Sequence, residues 1–142
     1  MNVKEFANSM VKIDYVEQSQ SYGHYPFQMY SENEEGQVEV GALALGDDVR
    51  ACYRKVKDNI CKGFNKIFLS LDFPGSEDMK HDFVAIFSIF DNAVDLYAIP
   101  YDIKTGERYK EIRKSELLNE LKDQFIKFTG LENVEHLEPE EK

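Results

Sequence analysis

The chain has 142 residues, a formal net charge of -10 and 42% hydrophobic residues, among them 10 Phe and 8 Tyr. This length fits one domain, and the apolar content is enough for that domain to bury its own core. The negative charge disfavours nucleic acid and anionic membrane surfaces as partners, and no apolar run approaches the ~20 residues of a membrane span, so we expect a cytoplasmic protein.

The first third of the chain predicts a helix followed by a hairpin. A capping-box spacing at Asn2 opens an apolar stripe of helical period that continues to Ile13. Apolar residues then alternate with polar ones over 25–30 and 38–44, on either side of the acidic turn 31–36. Alternation on both sides of a turn is typical of two antiparallel strands.

The middle of the chain predicts a second helix. Its apolar stripe runs from Val49 to Ile60, and Asp47 and Asp48 precede it at positions where carboxylates favour helix entry. Gly63 follows the stripe, as expected of a residue that ends a helix in the left-handed conformation.

Three strands are predicted after this helix. Residues 67–73 alternate in character, whereas residues 82–90 are apolar on both sides, as in a central strand that is covered on two faces. Asp91 and Asn92 form a plausible tight turn into the third strand, residues 94–101.

A third helix is predicted near the C-terminus. Ser115 is its candidate N-cap, an apolar stripe runs from Leu117 to Phe128, and Gly130 ends it. Residues 131–142 hold five Glu and one Lys, and we expect this acidic tail to fray.

The element order α-β-β-α-β-β-β-α predicts a single α+β domain over residues 1–130. We expect a mainly antiparallel sheet of about five strands covered by helices, although another mixed α/β arrangement could use the same elements. Cys52 and Cys61 would lie about 13 Å apart along one helix, too far to bridge, and both are expected to be buried free thiols.

Charge is distributed unevenly along the sequence. Residues 1–49 hold nine acidic and two basic residues, whereas 50–130 hold 13 acidic and 14 basic ones. Eleven of the 17 basic residues fall in 50–66 and 104–114, which could form one basic surface. The residues predicted to bind an acidic partner, or a second copy of the chain, are Arg50, Arg54, Lys57, Arg108 and Arg113. The plainer interpretation is that these side chains form only the solvated side of a helix and its surroundings.

One acidic loop is the sole cluster with a conceivable chemistry. Asp72 and Asp82 flank it, and His81 lies beside the second of them. Paired carboxylates can hold Mg²⁺ or Mn²⁺, which would suit a metal-dependent hydrolase. Turn chemistry explains both aspartates equally well, and their spacing matches no specific metal motif.

No nucleophile elbow or phosphate-binding glycine loop occurs in the sequence. We therefore expect no cofactor, and we expect a protein interaction or regulatory binding module rather than an enzyme. The hydrolase based on Asp72 and Asp82 is the alternative.

Overall fold

The computed structural model describes residues 5, 27–43, 49–76, 79–102 and 104–133. Within these ranges the chain forms two helices and six strands. In chain order they are β1 (Phe27–Glu32), β2 (Val38–Leu43), α1 (Val49–Cys61), β3 (Lys66–Phe73), β4 (Asp82–Phe90), β5 (Ala93–Tyr101), α2 (Glu116–Thr129) and β6 (Glu132–Asn133).

The strands form one sheet in the order β2-β1-β3-β4-β5-β6. The first five are antiparallel to their neighbours, while the short β6 runs parallel to β5 beside Ala93 and Val94. Strands β2 and β3 lie on either side of β1 and are both antiparallel to it, so they run parallel to each other. Helix α1 lies between them in the chain and forms the crossover connection. The α+β class is confirmed. The described part contains two helices instead of three, because the predicted helix from Asn2 to Ile13 lies outside it except for Glu5, which is helical.

Gly63 terminates α1 at its C-terminal end. This glycine has a φ of 97°, and its N–H donates to the Ile60 carbonyl at 3.0 Å. The next N–H, that of Phe64, donates to the Asn59 carbonyl at 3.1 Å. This pair of bonds satisfies carbonyls that the helix leaves unpaired, and only glycine adopts such a φ without strain. Asp47 and Asp48 lie outside the described residues.

Both predicted ends of α2 are confirmed. The Ser115 hydroxyl accepts a hydrogen bond from the Leu118 N–H at 3.0 Å, which is the bond of an N-cap. Gly130 at the other end has a φ of 74°, and its N–H donates to the Ile126 carbonyl at 2.7 Å. Leu131 is buried just beyond it, and β6 follows directly.

The turn between β4 and β5 forms at the two residues that the sequence predicts. Asp91 and Asn92 have φ values of 48° and 69°, the positive pair that a tight two-residue hairpin loop needs. The turn sets the register at the paired residues Phe90 and Ala93.

One face of the sheet, here called the helix face, packs against α1 and α2. An aromatic cluster joins the sheet to both helices: the Tyr53 ring lies 4.8 Å from Phe125 and 5.9 Å from Phe87, measured between ring centroids. The strand residues in this core are Phe27, Met29, Ile67, Leu69, Leu71, Phe83, Ala85, Phe87, Ile89, Val94, Leu96 and Ala98.

The opposite face carries the alternate residues, and most of them are buried as well. Val84, Ile86 and Ser88 of β4 are all buried there, so the prediction of a strand covered on two sides is confirmed. Phe90 ends that row with 39% of its surface exposed. Tyr30 also lies on this face, and burial together with the nearby carboxylates of Glu32 and then Glu5 raises its pKa to about 12.

The two cysteines differ. Cys52 is buried against the sheet, whereas Cys61 is exposed at the last position of α1, so the expectation of two buried thiols is wrong for Cys61.

Neither described helix is long and apolar enough to cross a membrane.

Candidate interaction surfaces

The exposed side of α1 carries three predicted partner-binding residues. Arg50, Arg54 and Lys57 are all exposed, because the apolar stripe that packs against the sheet lies on the other side of the helix. In the described part of the chain none of the three forms an ion pair. The Lys57 ammonium lies 5.7 Å from the centre of the Phe128 ring on α2, which holds this charge near the line where the helices meet.

The second basic stretch lies elsewhere. The Arg113 guanidinium contacts Asp95 at 3.3 Å and lies 5.0 Å from the centre of the Tyr97 ring. Asp95 and Tyr97 belong to the opposite face of the sheet, whereas α1 covers the helix face. Arg108 pairs with Tyr101 as an isolated bridge at the edge of β5. The five predicted residues therefore do not share one face, and their role in binding stays a prediction.

The acidic loop holds its two aspartates in separate hydrogen bonds. Both carboxylate oxygens of Asp72 accept from the Tyr101 hydroxyl, each at 2.8 Å. Asp82 accepts from the Gly75 N–H at 2.8 Å and so closes the loop. His81 stacks on Tyr109 with 4.1 Å between ring centroids.

These bonds give each aspartate a structural role that needs no metal. Among the described residues no three His, Cys, Asp or Glu side chains are grouped closely enough to hold an ion. Glu77 and Asp78, in the same loop, lie outside those residues.

The β5 edge of the sheet is covered. Ala98 and Ile112 exchange two backbone hydrogen bonds, of 2.8 and 2.9 Å, and the Tyr109 N–H donates to the Pro100 carbonyl at 2.9 Å. Strand β6 pairs with the other end of β5. Covering an edge in this way removes the row of free backbone groups that would otherwise accept another strand.

The β2 edge is different. Strand β2 pairs only with β1 in the described part of the chain, and Val38 and Val40 are 49% and 65% exposed. Gly41 is also exposed, and nothing lies within 4 Å of the position that a Cβ would take there. The sequence indicated a strand here, but the alternation of Val38 and Val40 was equally consistent with a buried row.

A polar network fixes α1 to this edge. The buried Asn59 amide donates to the Ser31 hydroxyl at 2.8 Å and to Glu39 at 3.4 Å, and the Lys55 ammonium lies 3.3 Å from the same carboxylate. The hydrogen bond from Lys55 lowers the pKa of Glu39 against the opposing effect of burial, and the charges of Lys55 and Lys62 add to the lowering. No local pattern in the sequence predicts this network, since its members are up to 28 residues apart.

Comparison of the chain with protein-family models, curated proteins and solved structures gives no match.

Proposed function

We propose that this protein is a protein-binding module that docks an acidic partner surface on the exposed side of α1. The observation that carries the proposal is the trio Arg50, Arg54 and Lys57: three exposed cations on one helix side in a chain whose net charge is -10. Local positive charge on an acidic protein orients an acidic partner, because repulsion elsewhere disfavours other approaches.

The spacing of the trio supports docking on a helix. Positions 50, 54 and 57 are separated by four and three residues, which places their side chains on one side of a helix. The helix itself is anchored by the buried Cys52, Tyr53 and Val56 on its other side, so the charges project from a rigid support. A rigid support lowers the entropy that the protein loses when a partner binds.

The proposal is tested with a fluorescein-labelled decaglutamate peptide as the acidic probe, followed by fluorescence anisotropy. We expect saturable binding that weakens as NaCl is raised, since salt screens exposed charges over roughly 8 Å at physiological strength. The variant Arg50→Glu/Arg54→Glu/Lys57→Glu should lose this binding while keeping the circular dichroism spectrum of the parent.

The control variant, Lys104→Glu/Lys110→Glu/Lys114→Glu, makes the same change in net charge within the second basic stretch. It should bind with nearly the affinity of the parent. If both variants lose binding equally, net charge alone explains the result and the α1 surface is not the docking site. An absence of binding by the parent protein at low salt would also contradict the proposal.

A further inference from the structure

We propose that the β2 edge is a self-association site, at which β2 of a second copy of this chain adds antiparallel to β2 and continues the sheet. This surface is separate from the α1 trio and does not depend on it. The proposal rests on the backbone of β2, on its side-chain pattern and on the charges beside it.

The backbone groups of β2 that are directed outward are those of Val38, Val40 and Ala42. The Asn33 N–H donates to the Gln37 carbonyl across the hairpin, whereas the Glu32 carbonyl accepts from Asn65 on the other side of β1. Residue pairs alternate between bonded and non-bonded along an antiparallel ladder, so Val38, opposite Glu32, has its N–H and C=O directed away from β1. Val40 follows two residues later with the same orientation.

The side chains of β2 are self-complementary. Val38 and Val40 project on the opposite face and are 49% and 65% exposed, while Glu39 projects on the helix face. Two antiparallel copies of this strand would therefore bring valines against valines on one face. A strand that pairs with itself in this way forms an isologous interface about a two-fold axis.

A register centred on Val40 fits the charges best. It pairs Val40 with the partner's Val40, and it places Glu39 opposite the partner's Gly41, where a side chain meets open space. A register centred one residue earlier would set the two Glu39 carboxylates directly opposite each other, which is unfavourable. Lys55 and Lys62 of each copy lie near that copy's Glu39 and compensate its charge.

The dependence on salt concentration distinguishes this site from the α1 surface. Each copy carries a formal charge of -10, so two copies repel each other, and salt reduces that repulsion. Self-association through β2 should strengthen as NaCl is raised, whereas binding of an acidic probe to α1 should weaken.

The test is sedimentation equilibrium of the full chain at up to about 1 mM protein, in about 50 and about 500 mM NaCl. We expect the mean mass to rise from 16.5 kDa towards twice that value, more so at high salt. Val40→Pro should weaken the dimer at least about tenfold, because it removes an outward N–H from each copy yet leaves the bonds to β1 in place. Val40→Lys provides a second variant with an intact backbone and should weaken the dimer as well.

Phe90→Lys is the matched control, because Phe90 is an exposed apolar residue on the same face but is on β4. It should dimerise as the parent does. A parent protein that stays monomeric under both salt conditions would overturn the proposal. This is also the result expected if the edge accepts a strand of a different protein. Dimerisation that persists in folded Val40→Pro and Val40→Lys, or that is lost in Phe90→Lys, would overturn it too.

Discussion

At Phe87 the sheet and both helices meet. Its side chain is fully buried, its ring centroid lies 4.7 Å from that of Phe125, and Tyr53 of α1 contacts it edge-on. Removing this ring would leave a cavity between three elements that cannot all move into it. We expect Phe87→Ala to lower the free energy of unfolding by about 3 kcal/mol or more in urea denaturation. Phe90→Ala, at the exposed end of the same strand, should cost less than about 1 kcal/mol, and a similarly small loss at Phe87 would contradict the packing described.

The ion pair of Glu39 with Lys55 gives the protein a pH dependence of known sign. The pKa of the Glu39 carboxylate is lowered in the folded state from an ordinary value of 4.5. The ionised carboxylate therefore stabilises the fold fully at pH values above 4.5, and this stabilisation is lost as the pH falls through the folded-state pKa. Lys55→Met should therefore be less stable than the parent at neutral pH by at most about 1 kcal/mol, the usual size for an exposed pair.

This difference between parent and Lys55→Met should shrink in acid and in high salt. Urea denaturation at neutral pH and at about pH 3 measures it. A difference that is constant across this range would show that the ion pair between Glu39 and Lys55 does not contribute to stability.

Among the secondary-structure elements, the C-terminal end of α1 and both ends of α2 were predictable because their signals are local. Ser115, Gly63 and Gly130 each act on atoms within a few residues of themselves, so the sequence order alone specifies the bond that they make. The pairing of Asp72 with Tyr101 spans 29 residues and depends on the strand order, which no local pattern encodes. The hydrogen-bond partner of Asp72 therefore cannot be predicted from the sequence, whereas the nearby Asp82 suggests a shared metal ion.

The C-terminal end of α2 provides a test of the left-handed conformation. Gly130 has a φ of 74° and nothing within 4 Å of the position that a Cβ would take, so Gly130→Ala should be destabilising through backbone strain alone, by about 1 kcal/mol. Gly41→Ala has equally open surroundings but no positive φ, and we expect no loss of stability there. Thermal or urea denaturation of the two variants measures the contrast. Equal effects at both positions would contradict the assigned conformations.

The hydrogen bonds of the acidic loop predict how it responds to divalent metal ions. Because Asp72 and Asp82 are held by Tyr101 and by the Gly75 N–H, we expect no saturable binding of Mg²⁺, Mn²⁺ or Zn²⁺ in isothermal calorimetry. Binding at micromolar affinity that is abolished by Asp72→Asn and by Asp82→Asn would contradict this expectation and favour the hydrolase.

The two edges of the sheet are unequal. Residues 108–112 and β6 cover β5, whereas β2 is open in the described part of the chain and carries exposed valines. The alternation in the sequence predicted both strands but not which of them would be an edge, since order in a sheet is decided by contacts between distant segments. For the same reason the two basic stretches looked like one surface in the sequence, although Arg113 folds onto the face opposite α1.

Docking on α1 is tested by mapping amide chemical-shift changes as unlabelled decaglutamate is added to the ¹⁵N-labelled protein at low salt. We expect the largest changes to cluster around Arg50, Arg54 and Lys57 on α1, and to disappear in the Arg50→Glu/Arg54→Glu/Lys57→Glu variant. Changes centred on 104–114 or on the Asp72 loop, or no saturable change at all, would contradict a docking site on α1.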